Sequence, residues 1–71
     1  MEVLVFKTNI RYPKHINSVA SYIDNNPGIL KWNVDLKDID KILRIETADL
    51  HPSKIEKLVK KAGYKCEELK D

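Results

Sequence analysis

The sequence contains very little cysteine and glycine, and these two shortages exclude several kinds of site. Because Cys66 is the only cysteine among 71 residues, the chain can form neither an internal disulfide nor a zinc site built from several thiolates. Only two glycines are present, and none lies at residues 8–15, so a glycine-rich phosphate-binding loop is not expected there. We therefore expect a fold stabilised by packing, in the reducing cytoplasm.

The chain also lacks a strong charge of either sign and any long hydrophobic run. Its 13 basic and 11 acidic residues leave a formal net charge of +2, too small to indicate a nucleic-acid-binding protein. The apolar stretch near the N-terminus is far shorter than the roughly 18 residues of a membrane span. We predict one domain over residues 1–71, with no nucleic-acid or membrane partner and no large enclosed active site.

Residue patterns typical of catalysis are missing as well. No Ser/His/Asp arrangement is present, and Cys66 has no predicted helix cap or histidine neighbour to activate its thiol. Two residues after Tyr64, Cys66 falls at a position suited to the core, where a free cysteine behaves as a small hydrophobe. We predict that the chain has no catalytic residues and is not an enzyme.

Hydrophobic periodicity predicts six elements in the order βαββαβ. The second and third strands are joined by a short polar turn, which favours an antiparallel hairpin. Each helix begins at a proline, and Gly63 provides a natural end for the second. The predicted elements are β1 at residues 3–8, α1 at 13–23, β2 at 30–36, β3 at 42–47, α2 at 52–62 and β4 at 64–69.

The two halves of the chain repeat the same pattern at an offset of 39 residues, which superimposes Thr8 on Thr47 and Pro13 on Pro52. Such an internal repeat is expected for an α+β ferredoxin-like fold, with an antiparallel sheet in the order 4-1-3-2 and both helices on one face. Tyr12 and His51 then become helix N-caps. The predicted core is Leu4, Phe6, Ile16, Val19, Ala20, Ile23, Leu30, Trp32, Val34, Leu43, Ile45, Ile55, Leu58, Val59 and Cys66.

Several segments of the chain, in this order and spacing, resemble the heavy-metal-associated domain found in copper chaperones and metal-pumping ATPases. The resemblance covers residues 6–69. The segments that carry it are Phe6-Lys7-Thr8-Asn9-Ile10 before α1, Gly28-Ile29 before Trp32-Asn33-Val34-Asp35, Asp40-Lys41-Ile42-Leu43, and Ala62-Gly63-Tyr64.

In the resembled family, the loop between β1 and α1 carries a Cys-x-x-Cys motif whose thiolates hold Cu(I) or another soft ion. The two cysteine positions fall here on Tyr12 and His15, and the position often taken by methionine falls on Ile10. The resemblance implies a metal-handling domain whose site has been altered to Tyr-x-x-His.

Tyr12 and His15 are the candidate metal ligands, because residues three apart on the first helical turn can converge. A helix N-terminus favours the neutral, metal-binding form of histidine, whereas a protonated phenol is a poor ligand and soft Cu(I) selects sulfur. No cofactor is certain, and weak binding of copper, zinc or nickel is the metal hypothesis. The alternative is that both residues are loop surface, with Tyr12 packed partly on Tyr64.

A second hypothesis concerns partner docking at the same end of the domain. Basic side chains near a helix N-terminus favour acidic groups, and basic surface around the metal loop helps the resembled family to dock partners. The predicted partner is an acidic protein or a related metal-handling domain, and the alternative is a solvated lysine face. The function is thus a carrier, adaptor or docking module, or else an interaction module without a metal role. The docking residues are Arg11, Lys14, Lys61, Tyr64 and Lys65.

Overall fold

The computed structural model describes residues 2–69 and contains the six predicted elements in the predicted order. Its strands form one antiparallel sheet in the order β2-β3-β1-β4, which confirms the predicted order 4-1-3-2 and the ferredoxin-like α+β fold. Within this described part of the chain, neither helix is long and apolar enough to cross a membrane. The elements are β1 at Glu2–Thr8, α1 at Pro13–Ile23, β2 at Ile29–Asp35, β3 at Ile42–Thr47, α2 at Pro52–Lys61 and β4 at Cys66–Glu68.

Both helices begin at a proline, as predicted. Pro13 and Pro52 lie in the first turn, where the missing N–H has no intrahelical partner to lose. The preceding residues, Tyr12 and His51, have the extended backbone of an N-cap. After α2, Gly63 has φ +98°, a left-handed conformation that favours glycine and ends the helix.

The core is a single cluster that the sheet and the two helices form together, and its membership follows the alternation of the strands. Burial raises the pKa of the Cys66 thiol to about 12, with the nearby Glu56 carboxylate as a second cause. Trp32 and Val34 are half-buried and pack against the cluster. The buried apolar residues are Leu4, Phe6, Ile10, Val19, Ile23, Leu43, Ile45, Ile55, Val59 and Cys66.

The prediction that Leu30 lies in the core is wrong, because this side chain is 57% exposed. Ile29 pairs with Thr47 and Lys31 pairs with the adjacent Glu46, so Leu30 is the extra residue of a β-bulge. The bulge moves Leu30 out of the alternation, and Ile29 packs against the core instead.

The last strand is shorter than predicted, beginning at Cys66 rather than at Tyr64. The N–H of Tyr64 donates to the Val59 carbonyl (3.2 Å) and so completes the end of α2. The N–H of Lys65 donates to a side chain of the β1–α1 loop. These two amides are therefore used in capping and loop contacts, and ladder pairing starts one residue later.

Candidate functional site

Three loops meet at one end of the domain, and Thr8 joins two of them. Its N–H donates to the Asp40 carbonyl (3.1 Å) and its hydroxyl donates to the Lys41 carbonyl (2.6 Å), both in the loop between β2 and β3. The same hydroxyl accepts the N–H of Ile10 (3.2 Å) in the β1–α1 loop. A buried hydroxyl with both partners fixes the two loops relative to each other.

The third loop, between α2 and β4, is attached through Asn9. The Asn9 side-chain oxygen accepts the N–H of Lys65 (2.8 Å), 56 residues away in sequence. Beside it, Ile10 is fully buried and anchors the β1–α1 loop in the core. Ile10 is not among the predicted core residues, although the helix-facing parity of β1, continued two residues past Thr8, points to it.

His15 lies at the centre of an aromatic group at this end. Its ring contacts the Tyr12 ring edge-on with centroids 5.1 Å apart, and it contacts the Tyr64 ring at the same centroid distance. Both tyrosine rings therefore pack on His15. The Lys14 ammonium lies 5.9 Å from the Tyr12 centroid, a cation–π distance, and Tyr12 remains 54% exposed.

A backbone hydrogen bond sets the tautomer of His15. The N–H of Arg11 donates to Nδ1 of His15 (3.3 Å), so Nδ1 must be unprotonated and the neutral ring carries its proton on Nε2. A metal bound at Nε2 would require that proton to move to Nδ1, where it would face the Arg11 amide. A metal bound at Nδ1 would replace the amide directly. Either mode of binding costs the hydrogen bond, about 1 kcal/mol.

The donor atoms at this end do not fit a tightly held Cu(I) ion. Tyr12 and His15 supply a phenol and one imidazole, whereas Cu(I) selects thiolates and thioethers. The single thiol, at Cys66, is 6% exposed and its raised pKa keeps it protonated near neutral pH. Within residues 2–69, no three His, Cys, Asp or Glu side chains are grouped so that they could hold a metal ion.

Arg11 and Tyr12 line an open depression of about 460 Å³, which was not predicted from the sequence. Ile39 and Lys41 of the β2–β3 loop also line it. Ile39 is 92% exposed although it is a large aliphatic residue. The signal in the sequence is a single bulky apolar residue inside the otherwise polar turn at residues 37–41.

The remaining docking candidates lie along two different grooves. Tyr64 and Lys65 line a groove of about 360 Å³ beside the end of β1, together with Lys60. Lys61 instead lines a groove with Lys57 on α2. The predicted basic residues thus line different grooves, and Lys60, which was not predicted, shares a groove with Asn9 of the β1–α1 loop.

Comparison of the three-dimensional structure finds similar solved domains, whereas comparison of the sequence does not. No protein-family model and no curated protein sequence matches the chain. The yeast copper transporter domain Ccc2a, solved in apo and Cu(I)-loaded states, matches with a TM-score of 0.84 at 14% identity, over 100% of this chain and 99% of that chain. The N-terminal domain of PacS from Synechocystis PCC6803 matches with a TM-score of 0.82 at 18% identity, over 99% and 100%.

A structure of the Atx1–Cu(I)–Ccc2a complex also matches, with a TM-score of 0.82 at 14% identity over 100% of this chain and 99% of that chain. These solved structures have the same ferredoxin-like arrangement of strands and helices as this chain. Their identities are low, and the agreement establishes a shared fold.

Proposed function

We propose that this chain is a small non-enzymatic domain of the metal-handling type, acting as a carrier, adaptor or docking module in the cytoplasm. The main observation behind the proposal is that hydrogen bonds join the β1–α1, β2–β3 and α2–β4 loops at one end of the domain. The sequence resemblance assigns Tyr12 and His15 of that end to the positions of the family's Cys-x-x-Cys motif, and the fold is shared with a copper transporter domain, which supports the proposal. A rigid surface with exposed aromatic and basic groups is suited to recognition rather than catalysis.

The proposed partner is an acidic protein or a second metal-handling domain. Arg11 and Lys14 flank the exposed ring of Tyr12, and Ile39 supplies an aliphatic contact on the facing loop. An apolar centre with a charged rim is the usual arrangement of a docking surface. The matching Ccc2a domain is known in a complex with Atx1 and Cu(I), which supports a partner of the same fold.

The proposed metal site is His15, with Tyr12 as a second donor. A single imidazole suits Zn(II), Cu(II) or Ni(II) better than Cu(I), and one strong ligand gives only weak binding. The Arg11 amide, which occupies Nδ1, lowers the affinity further. Binding to this site would therefore be reversible and easily outcompeted.

The second candidate is a protein-interaction module without a metal role. The hydrogen bond from the Arg11 N–H to His15 favours it, because this bond gives the imidazole a structural function in shaping the loop. In this reading, His15 holds Tyr12 and Tyr64 in place, and recognition depends on the basic and aromatic surface alone.

A metal titration separates the two candidates. Zn(II), Ni(II) and, under reducing conditions, Cu(I) are added to the full chain while the backbone amide signals of residues 11–15 are followed by NMR. Saturable shifts confined to this loop, and lost in His15→Ala, support a metal role. An unchanged loop supports the interaction module.

The matched control is His51, the other histidine of the chain, which lies in the turn at the opposite end of the strands. Asparagine is a good N-cap, so His51→Asn preserves the cap while removing the imidazole. This variant should bind metal as the parent does. If His51→Asn reduces binding as much as His15→Ala, the metal response is nonspecific histidine binding and the proposed site is wrong.

A further inference from the structure

The outer edge of β2 has no neighbouring strand in the described sheet. In the order β2-β3-β1-β4, β2 pairs only with β3, and with seven residues it is much longer than β4 at the other edge. The backbone groups on its outer side are therefore available for pairing with another chain, a property that natural proteins usually suppress.

The bulge at the start of β2 does not suppress pairing along the rest of the strand. It lies between Ile29 and Lys31, and from Lys31 to Asp35 the register with β3 is continuous. This regular five-residue segment has the geometry needed to accept a further antiparallel strand.

Two antiparallel copies of one segment of β2 would match each other in charge and in apolar side chains. This segment is Lys31-Trp32-Asn33-Val34-Asp35. If two copies run antiparallel with Asn33 opposite Asn33, Lys31 of each copy faces Asp35 of the other. In the same register, Trp32 faces Val34. Opposite charges and paired apolar side chains directly across an antiparallel ladder are both stabilising.

We propose that the occupant of this edge is a second copy of the chain, paired antiparallel through β2 about a two-fold axis at Asn33. The two copies then form one continuous eight-stranded sheet. Both faces of the interface are matched in chemistry, because Lys31 and Asp35 lie on the open face of the sheet while Trp32 and Val34 lie on the helix-covered face, half-buried and able to extend the core.

The interface is short, so the dimer should be weak. Contacts of this kind are at the small end of specific interfaces, and we expect a dissociation constant on the order of 0.1 to 1 mM. Sedimentation velocity and light scattering over a protein concentration series up to roughly 2 mM should show this equilibrium. A chain that remains monomeric throughout that range overturns the proposal.

Charge reversal tests the register. Lys31→Asp and Asp35→Lys should each weaken dimerisation by about tenfold or more, because each puts like charges opposite one another twice. The double variant Lys31→Asp/Asp35→Lys restores opposite pairs and should return the dissociation constant to within about threefold of the parent. Failure of the double variant to recover overturns the register and with it the proposal.

Two controls separate pairing from general effects. Lys37→Asp changes the net charge as much as Lys31→Asp but lies outside the paired segment, so it should leave the dimer intact. Asp35→Asn keeps a side-chain oxygen for the N–H of Lys37, which Asp35 accepts at 3.0 Å, and should still weaken the dimer by removing the charge. A loss in Lys37→Asp equal to that in Lys31→Asp contradicts the proposed contact.

Cross-linking reports the position of the axis. Asn33→Cys places two thiols opposite each other and should form a disulfide-linked dimer on mild oxidation, whereas Lys31→Cys should not. The native Cys66 is buried and contributes little background. Equal cross-linking of the two variants would show nonspecific collision instead of the antiparallel pairing.

Discussion

The two turns that lead from a strand into a helix, β1–α1 and β3–α2, share a scaffold but end in different chemistry. In the first, the Thr8 hydroxyl donates to the Lys41 carbonyl at 2.6 Å, and in the second the Thr47 hydroxyl donates to the Gly28 carbonyl at 2.6 Å. Each hydroxyl also accepts a backbone N–H of its own turn, at 3.2 and 3.1 Å. The internal repeat of the sequence thus extends to its buried hydrogen bonds.

The difference between the turns lies in the residue before each proline. His51 closes its own turn, because its Nδ1 accepts the Ser53 N–H at 3.2 Å. Tyr12, at the equivalent position, makes no capping bond and is 54% exposed, and the histidine of this turn is His15, three residues later. In the second turn the residue before the proline caps the start of the helix, whereas in the first turn that residue, Tyr12, makes no capping bond and stays exposed.

The largest expected effect comes from restoring thiols to the first turn. Tyr12→Cys/His15→Cys should raise Cu(I) affinity by several orders of magnitude, because two thiolates at a helix N-terminus near Arg11 and Lys14 favour the metal-binding form. Competition with a colorimetric Cu(I) chelator at fixed pH, under reducing conditions, measures the gain. Each single cysteine variant should gain far less.

The second turn provides a matched control for this graft. His51→Cys/Lys54→Cys places thiols at the equivalent positions, and both turns form the same backbone bond there, His15 N–H to Tyr12 carbonyl (2.9 Å) and Lys54 N–H to His51 carbonyl (3.0 Å). We expect a smaller gain, since Asp49 precedes this turn and basic neighbours are fewer. Equal gains in Cu(I) affinity would mean that the effect comes from the backbone geometry common to both turns and is not specific to the first turn.

Truncating the apolar anchor of each turn should give the next largest effect. Ile10 is fully buried and Leu50 is half-buried, so Ile10→Ala should lower the free energy of unfolding by about 3 kcal/mol and Leu50→Ala by about half as much. Urea unfolding monitored by Trp32 fluorescence measures both. A greater loss of unfolding free energy in Leu50→Ala than in Ile10→Ala would contradict this prediction.

Removing the threonine hydroxyls should destabilise both turns similarly. Thr8→Val and Thr47→Val keep the side-chain shape but leave a carbonyl and an N–H without their partner, at a cost of about 2 kcal/mol each. Thr→Ser at either position retains the hydroxyl and should cost clearly less. Chemical denaturation of the four variants is the measurement, and an unequal cost at the two sites would break the proposed equivalence.

The smallest effect concerns the caps. His51→Ala should cost about 1 kcal/mol because it removes a working cap. At the uncapped turn, Tyr12→Asp should be about 1 kcal/mol more stable than Tyr12→Ala, because a carboxylate both caps and interacts favourably with the helix dipole. Thermal unfolding of the three variants tests this. Equal stability of the two Tyr12 variants would mean that the backbone N–H groups at the start of α1 gain nothing from a capping carboxylate.

The sequence by itself determined the order of the elements and the sheet. Few other arrangements are compatible with the alternating apolar residues, the proline at the start of each helix, Gly63 after the second helix, and a polar turn too short for a crossover. The same local patterns placed Tyr12 and His51 at the helix starts. The element bounds and the helix starts depend on neighbours within a few residues, which is why a single sequence reveals them. The order of the strands followed from the internal repeat, which is expected for a ferredoxin-like fold.

The tertiary structure alone decided how the candidate site is assembled and where the sheet departs from simple alternation. The contact of Lys65 with Asn9 joins residues 56 positions apart, and the bulge that exposes Leu30 depends on pairing with β3. Likewise, the exposure of Ile39 beside Tyr12 follows from two loops meeting at one end. These features arise from long-range packing. The environment of each residue depends on segments that are distant in the sequence, and no local sequence pattern specifies how close those segments come in space.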